Sequence, residues 1–300
     1  MAEAVEITSE KYPKILKVAL KELQLSLGPK KLYYRGNWDE KIFENCLAVV
    51  GSRRLTYYGR KATEQIVTQA AASGITIVSG FMYGGDEAAH SAAVKCGGKT
   101  IAVMPCGIDL IHPPSQKKLY REILDTGGLI ISEYPGFTQP QTFTYIQRDR
   151  IVAGLSKAVL VTEAALESGS LITASYAKKF GRKIFAIPGP ITSEVSQGTM
   201  KLIKEGAEPI ADAKDILDFF KITLKFSKKT ALPASALSEL RRGKCFTLEE
   251  KIIDQLKREP LKADEMARLF AVPVAQLGTA LSLMQLKGFI NQDNGKYYIN

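Results

Sequence analysis

Cysteine is scarce in this chain, with four among 300 residues. Cys46, Cys96, Cys106 and Cys245 form no Cys-x-x-Cys pair, so neither a disulfide scaffold nor a cysteine-based metal knuckle is expected, and the thiols read as small reduced core residues. Histidine is scarcer still, with two. His90 sits in an alanine-rich stretch and reads as a core residue; His112 precedes Pro113-Pro114 and reads as a turn residue. No Ser–His–Asp order, metal-ligand cluster or Walker lysine stands out, so no catalytic residue, metal or cofactor is expected. The amino terminus, Met-Ala-Glu-Ala, carries no charged-then-apolar signal, and no apolar run approaches a membrane span. A soluble cytoplasmic protein that does not engage a membrane is the expectation.

Positive charge is plentiful. Lys and Arg number 41 against 31 Asp and Glu, for a net charge of +10, which favours a polyanionic partner without deciding the fold. The hydrophobic fraction of 45% allows a large core. The length suits one α/β domain plus a small second one.

The central stretch is Leu47-Ala-Val-Val-Gly51-Ser52-Arg53-Arg54-Leu-Thr56-Tyr-Tyr58-Gly59. Its first half is apolar without alternation, as a strand buried on both faces should be. Helical periodicity resumes through Ile66, Val67 and Ala70. Gly51 to Gly59 therefore lies where a parallel strand ends and a helix begins, a place where free backbone N–H groups favour an anion. Ser52 adds a hydroxyl, and Arg53 and Arg54 add charge whose forked geometry suits phosphate.

The pattern repeats along the chain. Strands are predicted at 46–50, 75–79, 100–104, 129–132, 158–162 and 183–187, separated by helices at 60–72, 86–96, 115–125, 145–155 and 170–180, with further helices near 198–205 and 213–220. This alternation predicts right-handed βαβ units and a parallel-rich sheet in an extended Rossmann-like α/β fold. Residues 1–45 read as a lead-in, its first ten frayed, followed by a helix and a short extended piece; 46–220 form the main domain and 221–245 a basic linker. Residues 246–300, with three short helices and a hairpin turn at Asn294-Gly295, read as a winged helix.

Glycine-bearing loops after successive strands gather on one sheet edge and predict a single broad site. Besides Gly51 to Arg53 they include Ser79-Gly80 and Ser168-Gly169-Ser170 with Thr173. The serines could cradle a phosphate or cap a helix. Arg148 and Arg150 flank Asp149, an arrangement that serves a phosphate clamp or a structural ion-pair cluster equally. Tyr145, Phe143 and Phe137 lie upstream, where aromatics suit base stacking or core packing. Asp86, Asp109 and Glu163 end strands and are expected to accept hydrogen bonds from loop N–H groups; Glu163 is the best enzymatic candidate among them.

These residues together resemble the DNA-processing protein A family, DprA or Smf. The resemblance runs from Tyr12-Pro13 to the carboxyl terminus. It rests on Gly51-Ser52-Arg53 with Thr56, Tyr58 and Gly59, Ser79-Gly80 with Asp86 and His90, Ser132-Glu133-Tyr134-Pro135, Arg148 and Arg150 before Ile-Val-Ala-Gly-Leu-Ser156, and Ser168 to Ala174. It implies a homodimer that binds and protects incoming single-stranded DNA and loads a RecA-type recombinase in natural transformation, without being an enzyme. It carries the family's basic positions to Arg53, to Lys117 or Lys118, and to Arg148 and Arg150. The chain departs from the pattern at Tyr83, where arginine is usual, at Gly85 for isoleucine, at His112 for tyrosine, and at Asp149 and Met200 for asparagines. Segment 135–147 lacks the lysine members often carry. The alternative is a small-nucleotide sensor or hydrolase of the lysine-decarboxylase-like type. Its Pro-Gly-Gly-x-Gly-Thr-x-x-Glu motif is absent, with Glu163 to Ser170 in its place.

Overall fold

The protein is described from a computed structural model covering residues 3–22, 28–222 and 248–299. The chain divides into two compact units, Met1–Lys225 and Phe226–Asn300.

In the first unit, chain order runs β1 (Glu3–Glu6), α1 (Lys14–Glu22), β2 (Lys31–Gly36), β3 (Cys46–Val50), α2 (Tyr57–Ala72), β4 (Thr76–Ser79), α3 (Gly85–Lys95), β5 (Thr100–Gly107) and α4 (Lys117–Asp125). It continues with β6 (Leu129–Tyr134), α5 (Thr142–Gly154), β7 (Ala158–Val161), α6 (Ser170–Lys179), β8 (Lys183–Ala186), α7 (Gln197–Lys204), β9 (Glu208–Pro209) and α8 (Ala213–Phe220). The sheet order is β1-β2-β6-β5-β4-β3-β7-β8-β9. Strands β3 to β9 pair in parallel, and β1 and β2 extend one edge antiparallel.

Every residue of β3 is buried. Leu47 and Val49 share one core layer with Ile66 of α2, Ala89 of α3 and Ile216 of α8. Ala48 and Val50 share the opposite layer with Leu16 of α1, Ile151 of α5 and Ala174 of α6. The two-residue period of a strand thus sends alternate side chains into two helical layers, which is why β3 shows no polar alternation.

The first described residues, Glu3–Glu6, form a strand where fraying was expected. Glu3–Glu6 pairs with β2 in the register Glu3↔Tyr34 to Glu6↔Lys31, with Val5 buried and its neighbours exposed. One apolar position in a four-residue edge strand is too short a pattern to recognise. Strands β1 and β2 therefore belong to the same sheet as the strands that follow.

In the second unit, α9 (Leu248–Arg258) leads to β10 (Leu261–Lys262), α10 (Ala263–Phe270), α11 (Val274–Leu286), β11 (Ile290–Asp293) and β12 (Lys296–Ile299). Ile252, Leu256, Met266, Leu277, Leu281, Met284 and Ile290 form its core. Asn294 and Gly295 both adopt positive φ, 50° and 77°, as a tight hairpin turn between β11 and β12 requires. Three helices and a small sheet make a winged helix. Of the expected linker, Lys221 and Ile222 follow α8; the remainder, with Cys245, lies outside the described residues. Among the described residues no single helix is long and apolar enough to cross a membrane.

Candidate functional site

Strand β3 lies between β4 and β7. The chain leaves β3 towards β4 on one side and leaves β7 towards β8 on the other. A crevice opens outside the carboxyl ends of two such strands. Its walls are pinned by backbone: Ser52 N donates to Glu163 O at 2.7 Å, and Gly85 N donates to Ser52 O at 3.1 Å. Gly51 is required by this approach, since a Cβ there would lie 2.3 Å from Thr162 Oγ1.

Glu163 is 3% exposed and committed to α2. Its carboxylate accepts from Thr56 N at 2.8 Å and Thr56 Oγ1 at 2.5 Å, while Thr56 Oγ1 accepts from Gly59 N at 3.0 Å. The best enzymatic candidate of the sequence thus closes the first turn of a helix, where negative charge is favoured. Glu163→Ala should destabilise the unit by about 1–3 kcal/mol, the cost of orphaning buried partners. Chemical denaturation measures it, and an unchanged midpoint would refute the assignment.

The crevice deepens into a cavity of about 660 Å³. Gly51, Ser52 and Arg53 line it from the β3 loop, Gly80 from the β4 loop, Arg148 from α5, and Ser168, Gly169, Ser170 and Thr173 from the start of α6. Arg54, Met82, Asp86, Tyr145 and Asp149 join them. Lys117 and Arg150 fall outside this lining. Lys117 is exposed at the start of α4. Arg150 is buried and turned to Glu133, donating from Nη2 to Oε1 and Oε2 at 2.8 and 3.0 Å. Of the two readings of Arg150, phosphate clamp and structural ion pair, this geometry is that of the ion pair.

Arg148 lines the cavity as a buried cation beside two carboxylates. It is 6% exposed. Nη1 donates to Val103 O at 3.1 Å, Nε lies 3.0 Å from Asp149 Oδ1, and Nη1 lies 4.0 Å from Asp86 Oδ2. Gly80 makes room for it: a Cβ there would fall 1.6 Å from Nη1.

Burial pushes the Asp149 carboxyl up to about 6 from 3.8, against the lowering pull of Arg148; Asp86 raises it further and Arg53 lowers it slightly. A carboxyl raised on folding keeps its proton longer in the native state. Stability from this group is therefore greatest at low pH and falls as pH rises from about 4 to about 6. Asp149→Asn should flatten that part of the curve, leaving the slope from Asp86, which burial also raises. Urea midpoints at pH 4 and 7 measure it; an undiminished slope in the variant would contradict it.

At the mouth, Arg53 is exposed and lies over the Tyr145 ring, 5.3 Å from its centroid. It enters no salt bridge among the described residues. Tyr145 OH is 2.9 Å from His112 Nε2. His112 is therefore more than a turn residue: it holds the ring under Arg53. No local pattern joins residues so far apart in sequence, so reading the sequence missed this. His90 is buried, 2.7 Å through Nδ1 from Thr100 Oγ1, and burial lowers it to about 3, which leaves it neutral. Asp109 pairs with Arg35. Ser168 Oγ and Ser170 Oγ lie 2.7 Å apart at the amino end of α6. No group of three or more His, Cys, Asp or Glu among the described residues is placed to hold a metal.

A family model described as DNA recombination-mediator protein A matches residues 3–221, and one for the DprA winged helix domain matches residues 247–296. The chain belongs to the DprA/Smf family. Protein Smf of Escherichia coli K12 is 37% identical over 251 residues, covering 84% of this chain and 67% of that protein. The X-ray structure of DprA from Streptococcus pneumoniae superposes with a TM-score of 0.65 at 39% identity, covering 72% of this chain and 73% of that one. DprA from Helicobacter pylori, whose structure is described for its single-stranded DNA binding mode, superposes with a TM-score of 0.64 at 31% identity, covering 74% of this chain and 96% of that one.

Departures from the DprA pattern have local reasons. At Gly85 a Cβ would stand 2.7 Å from the Gly51 Cα, so isoleucine does not fit this loop pairing. Tyr83 OH instead reaches Ser115 Oγ at 3.2 Å. Asp149 pairs with Arg148. Nothing in the structure explains Met200.

Proposed function

We propose that this chain binds single-stranded DNA across the crevice between β3 and β7. The observation that carries the reading is Arg53, an exposed cation with no carboxylate partner among the described residues, laid over Tyr145 at the cavity mouth. Phosphate meets Arg53, Arg54 and the amino end of α6, and an unstacked base reaches the cavity beside the Tyr145 ring. A base reaches such a cavity only when it is unstacked and unpaired, which favours a single strand over a duplex. The Helicobacter pylori relative's described binding mode supports the reading. The recombination-mediator description of the family supports a further step, in which the chain, as a homodimer, protects incoming DNA and passes it to a RecA-type recombinase.

Fluorescence anisotropy with labelled single- and double-stranded oligonucleotides across a salt series tests the first step. Tighter single-strand binding that weakens with salt is expected; equal affinity for the two forms at moderate salt would overturn it. The residues that line the cavity, from Val50 to Thr173, belong to the first unit. A fragment ending at Ile222 should keep its single-strand affinity within about twofold, a change of under ~0.5 kcal/mol. A folded fragment that no longer binds would place the main site elsewhere.

A further inference from the structure

The cavity is electrically segregated. Its rim carries the exposed Arg53 and Arg54, with one exposed acid, Glu167. Its buried end carries two carboxylates, Asp86 and Asp149, 7% and 9% exposed. The one cation at that end, Arg148, turns Nη1 to Val103 O and Nε to Asp149. An anion entering this far would meet two carboxylates against a single guanidinium, which both of them already face. A phosphate therefore stops at the rim, and what reaches the end must be neutral and must offer N–H donors.

We propose that Asp149 reads the nucleobase, favouring bases with an exocyclic amine over thymine. This deepens the single-strand reading and rests on it. A carboxylate accepts a hydrogen bond from cytosine N4, the pairing acidic side chains make with that base elsewhere. Thymine presents the O4 carbonyl at the same position, and two acceptors facing each other repel. The two pyrimidines are nearly equal in size, so packing separates them little. Asp149 is the better placed of the two acids, because Asp86 Oδ2 already accepts from Met82 N at 3.2 Å. Val50, Met82 and Val152 add apolar lining, and apolar surroundings strengthen a charge-assisted bond.

The test compares labelled oligo(dC) and oligo(dT) of equal length by anisotropy at pH 7.5, with the full chain. The wild type should bind oligo(dC) about tenfold more tightly, the scale of one hydrogen bond to a charged group. Asp149→Asn, whose amide can donate to O4 or accept from N4, should bring the two affinities together. A third oligonucleotide, with each cytosine amine replaced by hydrogen, should bind the wild type as weakly as oligo(dT); this arm needs no protein variant to fold. Equal wild-type affinities for oligo(dC) and oligo(dT) would overturn the base-reading role and leave single-strand binding standing. A preference that persists in a folded Asp149→Asn variant would also overturn it. Failure to bind either oligonucleotide would instead refute the single-strand reading.

Discussion

Arg53→Ala should weaken single-strand binding by about 1–3 kcal/mol, the range for losing a charged hydrogen-bond partner. Arg53 is the exposed cation at the cavity mouth that sits on an aromatic platform, and no carboxylate among the described residues pairs with it. Arg148 is a poor substitute for it, being 6% exposed and set between the carboxylates of Asp149 and Asp86. The variant should also lower the salt dependence by about one phosphate contact. Arg53→Lys should recover part of the loss, since an ammonium keeps the charge but neither forks to phosphate nor stacks on Tyr145 as a guanidinium does. Tyr145→Leu should act in the same direction through lost stacking. Anisotropy at several salt concentrations, with a thermal melt as folding control, reads all of these. Unchanged affinity in a folded Arg53→Ala protein would remove it from the site.

The second large effect is on stability. Arg148→Met should destabilise the first unit by about 3–5 kcal/mol, because removing one partner of a buried ionic cluster leaves the others uncompensated. Asp86 and Asp149 would lose their nearest cation, and Val103 O would lose a donor. Methionine keeps much of the volume beside Gly80, so the loss reports charge more than cavity. Adding Asp149→Asn should return part of it, and the coupling in the double-mutant cycle measures the Arg148–Asp149 interaction. Strictly additive variants in urea denaturation would show that the pair does not act as a unit.

The alternation of strands and helices was legible because β3 to β8 are short apolar runs, with β3, β4, β5 and β7 buried throughout and helical periodicity between them. The turn at Asn294-Gly295 was legible because left-handed backbone has a narrow set of residues. The gathering of loops on one edge followed from parallel topology, and it located Gly51, Arg53, Gly80 and Ser168 around one cavity. What stayed hidden depends on side-chain partners from distant elements. Arg148, Asp149 and Arg150 form one local pattern. Yet Arg148 meets Asp86 of α3, and Arg150 meets Glu133 of β6, so one lines the cavity and the other leaves it. Lys117 was carried over by resemblance and lies outside the cavity lining. Glu163 resembled a reactive acid because sequence cannot show Thr56 beside it. Edge strand β1 escaped notice because one buried valine makes no periodicity.

The glycine contact between the β3 and β4 loops bears on binding in another way. Gly51 and Gly85 meet backbone to backbone, and main-chain hydrogen bonds tie Ser52 to both Gly85 and Glu163. Main-chain bonds between opposed loops leave the receptor little freedom to lose. The entropic penalty of association then falls on the flexible strand, whose torsions freeze as it seats. Affinity should accordingly be sensitive to how stiff the oligonucleotide is, so that a backbone chemically restrained near its bound shape gains more than added protein contacts would supply.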